Sequence, residues 1–155
     1  MKGDPKILDK LNFLLADELT AVNQYMVEAE MCDNWGYKTL ADIIEKRAID
    51  EMKHAEKHIA RILFLEGMPI VSNLNNINIG KDVENQHKND WEAEKIAIKE
   101  YNNAIKLAVE LGDNGTRDLL EEILEDEEEH IDWIEAQLDQ ISQMGIQNYL
   151  AQQLS

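Results

Sequence analysis

At 155 residues the chain has the length of one domain, enough to bury a core and too little for a second folded unit. Its 15 Lys and Arg face 32 Asp and Glu, and a formal net charge of -17 repels nucleic-acid phosphates and anionic lipid while favouring cations. Cys32 is the single cysteine, which excludes an internal disulfide and any Cys-x-x-Cys metal site. No apolar run approaches the roughly 18 residues of a membrane span, and Met1 to Pro5 leads into no signal-peptide core. The expected setting is the cytoplasm, without nucleic-acid or membrane partners.

Only 7 Gly and 2 Pro interrupt the sequence, so long helices are expected. Asp4-Pro5 starts the first, over 5–34, with Leu8, Leu11, Leu15, Val22, Tyr25 and Ala29 on one face. A Thr39/Asp42 capping box opens the second, over 39–65, striped by Leu40, Ile44, His58, Ile62 and Leu65. Pro69 and a run of Asn break the helical period between Gly67 and Gly80. The third helix runs over 82–111 with Trp91, Ile98, Tyr101, Ile105 and Ala108 inward, and Gly112-Asp113-Asn114-Gly115 turns the chain. Thr116 caps the fourth, whose stripe is Leu120, Ile123, Ile134, Leu138 and Ile141, and Gly145 ends it before a short fifth helix over 146–153. Two hairpins joined by a long crossover predict an all-α four-helix bundle over 1–155, with the second and third helices parallel.

Each stripe has a gap, and the gaps hold polar residues. Glu18 lies between Leu15 and Val22, Glu51 and His54 follow Ile44 and Arg47, Glu94 lies between Trp91 and Ile98, and Glu127 and His130 lie between Ile123 and Ile134. Ionised carboxylates in an apolar interior must be paired, neutralised or bound to metal. Antiparallel packing about Gly36 brings Glu18 level with Glu51 and His54, and the turn at Asp113 brings Glu94 level with His130. Glu-x-x-His places both groups on one helix face, and four Glu with two His suit two borderline-hard divalent ions, the arrangement of di-iron and di-manganese bundles.

Other polar residues have simpler readings. A third copy, Glu84 to His87, falls in the first turns of its helix, where Glu84 complements the helix dipole. Arg47, one turn from the layer, is the cation that a metal-free polar cluster would need. Tyr25 and His58 read as core residues with bonded polar atoms, and in the run 125–129 only Glu127 is on the inner stripe. Met52 shares a partner-facing stripe with Ile49, Ile59 and Leu63.

Glu51-Met52-Lys53-His54 after Ile49-Asp50, the run Arg61-Ile-Leu-Phe-Leu-Glu-Gly67, Asp126-Glu-Glu-Glu-His130-Ile-Asp-Trp133 and Met144-Gly-Ile-Gln-Asn-Tyr-Leu150 resemble the bacterioferritins over the whole chain. The resemblance implies a ferritin-like bundle with a ferroxidase di-iron centre in each subunit of a 24-subunit shell that holds an iron mineral. Glu18 and Glu94 would then be terminal ligands and Glu51 and Glu127 bridges, with His54 and His130 completing the centre. Met52 would be an axial ligand of haem b shared between two subunits, and a ferredoxin-type reductant would release stored iron. Where some members carry His at position 46, as part of an accessory iron site beside Asp50, this chain has Lys46. The rival readings are a di-iron peroxidase or oxidase, or a haem-binding helical assembly, without mineral.

Overall fold

A computed structural model describes residues 1–155. The helices are α1 (Pro5–Asn34), α2 (Lys38–Phe64), α3 (Val83–Glu110), α4 (Asn114–Met144) and α5 (Ile146–Ala151), with no strand. None is long and apolar enough to cross a membrane. Gly36 and Gly112 take positive φ, 87° and 71°, in the turns that close the two hairpins, a conformation cheap only for glycine.

Cross-helix bonds fix the directions. Lys10 meets Glu100 and Gln24 meets Asp90, so α1 and α3 are antiparallel. His54 meets Asp126 and Arg61 meets Asp113, so α2 and α4 are antiparallel too. Arg47 with Asp90 and His58 with Tyr101 run in the same order along α2 and α3, which are therefore parallel, as the long crossover requires. The crossover lies along α1, where one row of side chains accepts from its backbone. Ile70 N–H donates to Asn12 at 2.8 Å, Asn75 N–H to Thr20 at 2.8 Å and Asn78 N–H to Gln24 at 3.1 Å. Peptide groups in a segment without internal hydrogen bonding thus find partners at helical spacing.

The apolar core is divided. One cluster includes Leu11, Leu15, Ile62, Tyr101, Leu120 and Ile123, and the other includes Tyr25, Cys32, Leu40, Ile44, Ile141 and Tyr149. Between them lies the polar layer.

Several local expectations are corrected. Thr39 does not cap α2: the helix starts at Lys38 behind Tyr37, which makes no side-chain cap bond. The C-terminal segment docks there instead, so Thr39 gives its hydroxyl to the Ser155 carbonyl and its N–H to the Gln153 carbonyl. Thr116 does not cap α4, because Asp113 accepts the Thr116 N–H at 3.0 Å and the Thr116 hydroxyl at 2.6 Å. Asp113 also holds Arg61 at 2.9 Å, which ties the α3–α4 turn to the end of α2. The fifth helix ends at Ala151, two residues early. Trp91, Ile98 and Ile105 are half-buried, while Asp90, Ala97, Tyr101 and Ala104 fill the inward face, so the stripe on α3 lies one residue away from where Trp91 suggests. Glu84 pairs with Lys88 in the first turn of α3, and His87 bonds the Tyr149 hydroxyl.

Asp113→Ala should destabilise the protein by about 1–2 kcal/mol, the usual cost of an N-cap. The shift in thermal unfolding midpoint at pH 7 measures it. Hydrogen bonds from Thr116 and Arg61 outweigh burial and hold the Asp113 carboxyl below its usual range. Its contribution is therefore present above the unfolded value and is lost as pH falls through the folded one, so the two proteins converge in acid.

Candidate metal centre

The six residues come from four helices: Glu18 from α1, Glu51 and His54 from α2, Glu94 from α3, Glu127 and His130 from α4. Five are at most 3% exposed, and the His130 side chain is 11% exposed. They form two groups of four, Glu18, Glu51, His54 and Glu127, and Glu51, Glu94, Glu127 and His130, with the donor atoms of each group within 4.8 Å of one another. Glu51 and Glu127 belong to both.

Each of the six presents one buried atom without a hydrogen-bond partner: Glu18 Oε2, Glu51 Oε1, His54 Nδ1, Glu94 Oε2, Glu127 Oε1 and His130 Nδ1. On four residues the other polar atom is held from outside. Tyr101 donates to Glu18 Oε1, and Tyr25 donates to Glu94 Oε1 at 2.6 Å. Asp126 accepts from His54 Nε2 at 2.8 Å, and Asp50 accepts from His130 Nε2 at 3.4 Å. Phenols and carboxylates thus fix the orientation of the Glu18 and Glu94 carboxylates and of the imidazoles and leave the inward atoms free, the division of labour seen around bound metals. His58, fully buried, supports the arrangement by donating from Nε2 to the Tyr101 oxygen at 2.6 Å. Burial pushes His58 down to about 3, so it is neutral.

The electrostatics describe a site short of positive charge. Burial and the neighbouring Glu51 push Glu18 well above the carboxylate range, and burial with Glu51, Glu94 and Glu18 does the same to Glu127. His54 rises to about 11 and His130 to about 10, because carboxylate contacts outweigh the burial that would lower them. Protons gather where negative charge is concentrated, and divalent cations would displace them. No guanidinium fills the layer: Arg47 turns away to Asp90 at 3.4 Å.

The layer is reached from two faces. A cavity of about 500 Å³ between α1, α3 and the crossover, lined by Asp17, Asn75 and Glu100 among others, ends on Glu18, Glu51, Glu94 and Glu127. A second of about 330 Å³ on the α2–α4 side is lined by Lys46, Asp50, Asp126, Glu129 and His130, with Lys46 paired to Asp50 at 3.4 Å. Met52, 45% exposed, lies outside the layer on a third surface. It lines a depression of about 170 Å³ with Val22, Met26, Ala29, Ala48 and Ile49.

Sequence reasoning missed four contributors. The sequence pattern puts only Glu127 of the run 125–129 on the inner stripe, yet Asp126 reaches His54, because a short side chain beside an inward position can still touch the rim of the site. Tyr101 was read as apolar stripe, although its hydroxyl carries a bond to Glu18. Glu28 and Asp90, both fully buried, went unnoticed. The signal for Asp90 was its position four residues before Glu94, on the same helix face.

The ferritin-like domain profile matches residues 8–144. The chain is 41% identical over its full length to a bacterioferritin of Mycolicibacterium paratuberculosis, covering 98% of that protein. It is 39% identical to one of Brucella melitensis, over 96% of this chain and 92% of the relative, and 39% identical to bacterioferritin BfrA of Mycobacterium tuberculosis, over 100% and 98%. With the four-helix architecture and the two overlapping donor groups already in place, these matches over nearly the whole length show that the chain belongs to the bacterioferritins of the ferritin-like family.

Proposed function

We propose that this protein is a ferroxidase that stores iron, with Fe2+ as its substrate. The observation that carries the reading is the set of six inward atoms without partners, one on each residue, divided into two groups that share Glu51 and Glu127. Glu18 and Glu94 are assigned as terminal carboxylates, Glu51 and Glu127 as bridges, and His54 and His130 as nitrogen ligands through Nδ1. Four carboxylates balance two divalent ions and favour the higher charge of Fe3+. Two Fe2+ ions lose one electron each, and the pair of electrons reduces O2 to H2O2 or H2O2 to water. Hydrolysis of the ferric product to hydrous oxide releases protons.

The two cavities give the substrate a way in and the product a way out, with the acidic lining on both sides attracting cations. A mineral needs an enclosure, which a 24-copy shell would supply. The exposed side chains Ile49, Met52 and Leu63 on α2 and Met68, Val71 and Leu74 on the crossover leave large apolar surfaces for neighbouring copies to cover. At the depression around Met52, a second copy related by a twofold axis would bring a second thioether and close an apolar slot, which fits haem b. When bound, haem supplies an electron-transfer group, and Met52 of each copy would hold it. Release of stored iron would draw electrons from a ferredoxin-type reductant, and the expected compartment is the cytoplasm.

Anaerobic Fe2+ titration followed by oxidant should show two ions oxidised per subunit. The double variant Glu51→Ala, Glu127→Ala should lose at least about tenfold in rate, and an unchanged rate would remove these residues from the site. In gel filtration the protein should elute as an assembly of about 430 kDa, being 24 copies of 17.9 kDa. Elution as a dimer would leave a di-iron oxidase without a cavity to fill. Met52→Leu should assemble normally and lose its haem absorbance, whereas full haem content would dismiss Met52 as the ligand.

A further inference from the structure

A second buried polar group lies beside the metal layer, toward the α1–α2 turn, and the chemistry above makes no use of it. Glu28 and Asp90 are fully buried and Arg47 is 3% exposed. Asp90 is well supplied with donors: Gln24 Nε2 reaches Oδ1 at 2.9 Å, and Arg47 Nη1 reaches Oδ2 at 3.4 Å. Glu28 is poorly supplied: neither of its oxygens makes a hydrogen bond of good geometry, and only the Gly80 amide of the crossover acts on it as a weak donor. A buried carboxylate without a good donor is costly by several kcal/mol. A carboxylic acid escapes that cost because it brings its own hydrogen, and Asp90, bonded to Gln24 one turn before Glu28 on α1, is the acceptor within its reach.

We infer that Glu28 stays a carboxylic acid, donates its hydrogen to Asp90, and through Asp90 and Arg47 positions Tyr25 on Glu94. The Arg47 guanidinium lies 5.0 Å from the ring centre of Tyr25 and 5.0 Å from that of Trp133, clasped between them. The Tyr25 hydroxyl is the donor that fixes Glu94 Oε1. With Glu28 neutral, the Asp90–Arg47 pair carries no net charge and the guanidinium is free to lie on the ring. An ionised Glu28 would compete for that guanidinium and draw it away.

The surroundings agree with this charge state. Burial and Asp90 push Glu28 up to about 11, against the weaker opposing pull of Arg47 and the Gly80 amide of the crossover. His87 of α3 is pushed down to about 3 by burial and by Arg47. The Cys32 thiol of α1 is pushed up to about 12 by burial and by Glu28, and burial also raises the Tyr149 phenol of α5. On the α4 side the neighbours are the uncharged Gln137 and Trp133. Asp90 and Arg47 are the charged groups that act most on Glu28. As the folded value lies above the unfolded one, the stability that Glu28 brings is complete in acid and is lost as pH rises toward about 11.

The positioning role rests on the assignment of Glu94 as an iron ligand, and the test separates the two. In zinc-loaded protein, whose layer carboxylates are engaged, infrared difference spectra between wild type and Glu28→Gln should show one carboxylic-acid C=O stretch that the variant lacks. Between pH 6 and 9 the wild-type unfolding midpoint should fall relative to Glu28→Gln, as the folding constant loses about tenfold per pH unit. Glu28→Ala should weaken Co2+ binding at the layer by about tenfold and alter the visible spectrum of the bound ion. Glu28→Gln, whose amide can also donate to Asp90, should restore both. Absence of the acid band, or a Gln variant as impaired as the Ala variant, overturns the inference. An acid band in a protein that takes up no Co2+ would overturn both the positioning role and the function proposed for the layer, leaving only the protonation of Glu28 standing.

Discussion

The cost of burying four carboxylates and two imidazoles at mid-depth governs the rest of the structure. No apolar packing compensates such a layer, so its charge must be met by protons or cations, and its outward atoms must be met by hydrogen bonds. The phenols of Tyr25 and Tyr101 and the carboxylates of Asp50 and Asp126 meet the outward atoms. The inward atoms are left to one another. The division of the apolar core into two clusters follows, because each half must hold its own helices in register on either side of a layer that contributes little cohesion.

Much of this was legible in the sequence, for identifiable reasons. Helices of about thirty residues repeat their inward positions many times, so an interrupted stripe exposes Glu18, Glu51, His54, Glu94, Glu127 and His130 by position alone. Antiparallel hairpins about Gly36 and Gly112 then convert sequence distance into height along the bundle. The helix starts were less legible. Thr39 and Thr116 both look like caps, but which oxygen caps a helix depends on what else competes for it, and the partners of these threonines are the distant C-terminus and the neighbouring Asp113. The stripe on α3 was misplaced because the large ring of Trp91 reads as core, while its indole N–H reaches outward to Glu135. Asp90 took the inward position instead.

The buried group around Glu28 was invisible for a different reason. Counting charges treats Glu as an anion, and an anion there makes no sense. Only the surroundings, an enclosed carboxyl with no good donor and a charged carboxylate beside it, turn Glu28 into a neutral side chain that the interior can accept. Arg47 shows the converse. In the sequence it stood as the cation that could neutralise a metal-free layer, and in the structure Asp90 has claimed it, which leaves the layer's need for positive charge in place.

The layer looks the same from either side, Glu18 and Glu94 each gripped by one tyrosine, but the tyrosines themselves are not equivalent. Tyr25 has the guanidinium of the Asp90–Arg47 pair against its ring, whereas Tyr101 stacks on the neutral imidazole of His58. The near-symmetry of the layer therefore conceals two unlike supports: one phenol is braced by a buried ion pair and the other by an uncharged ring.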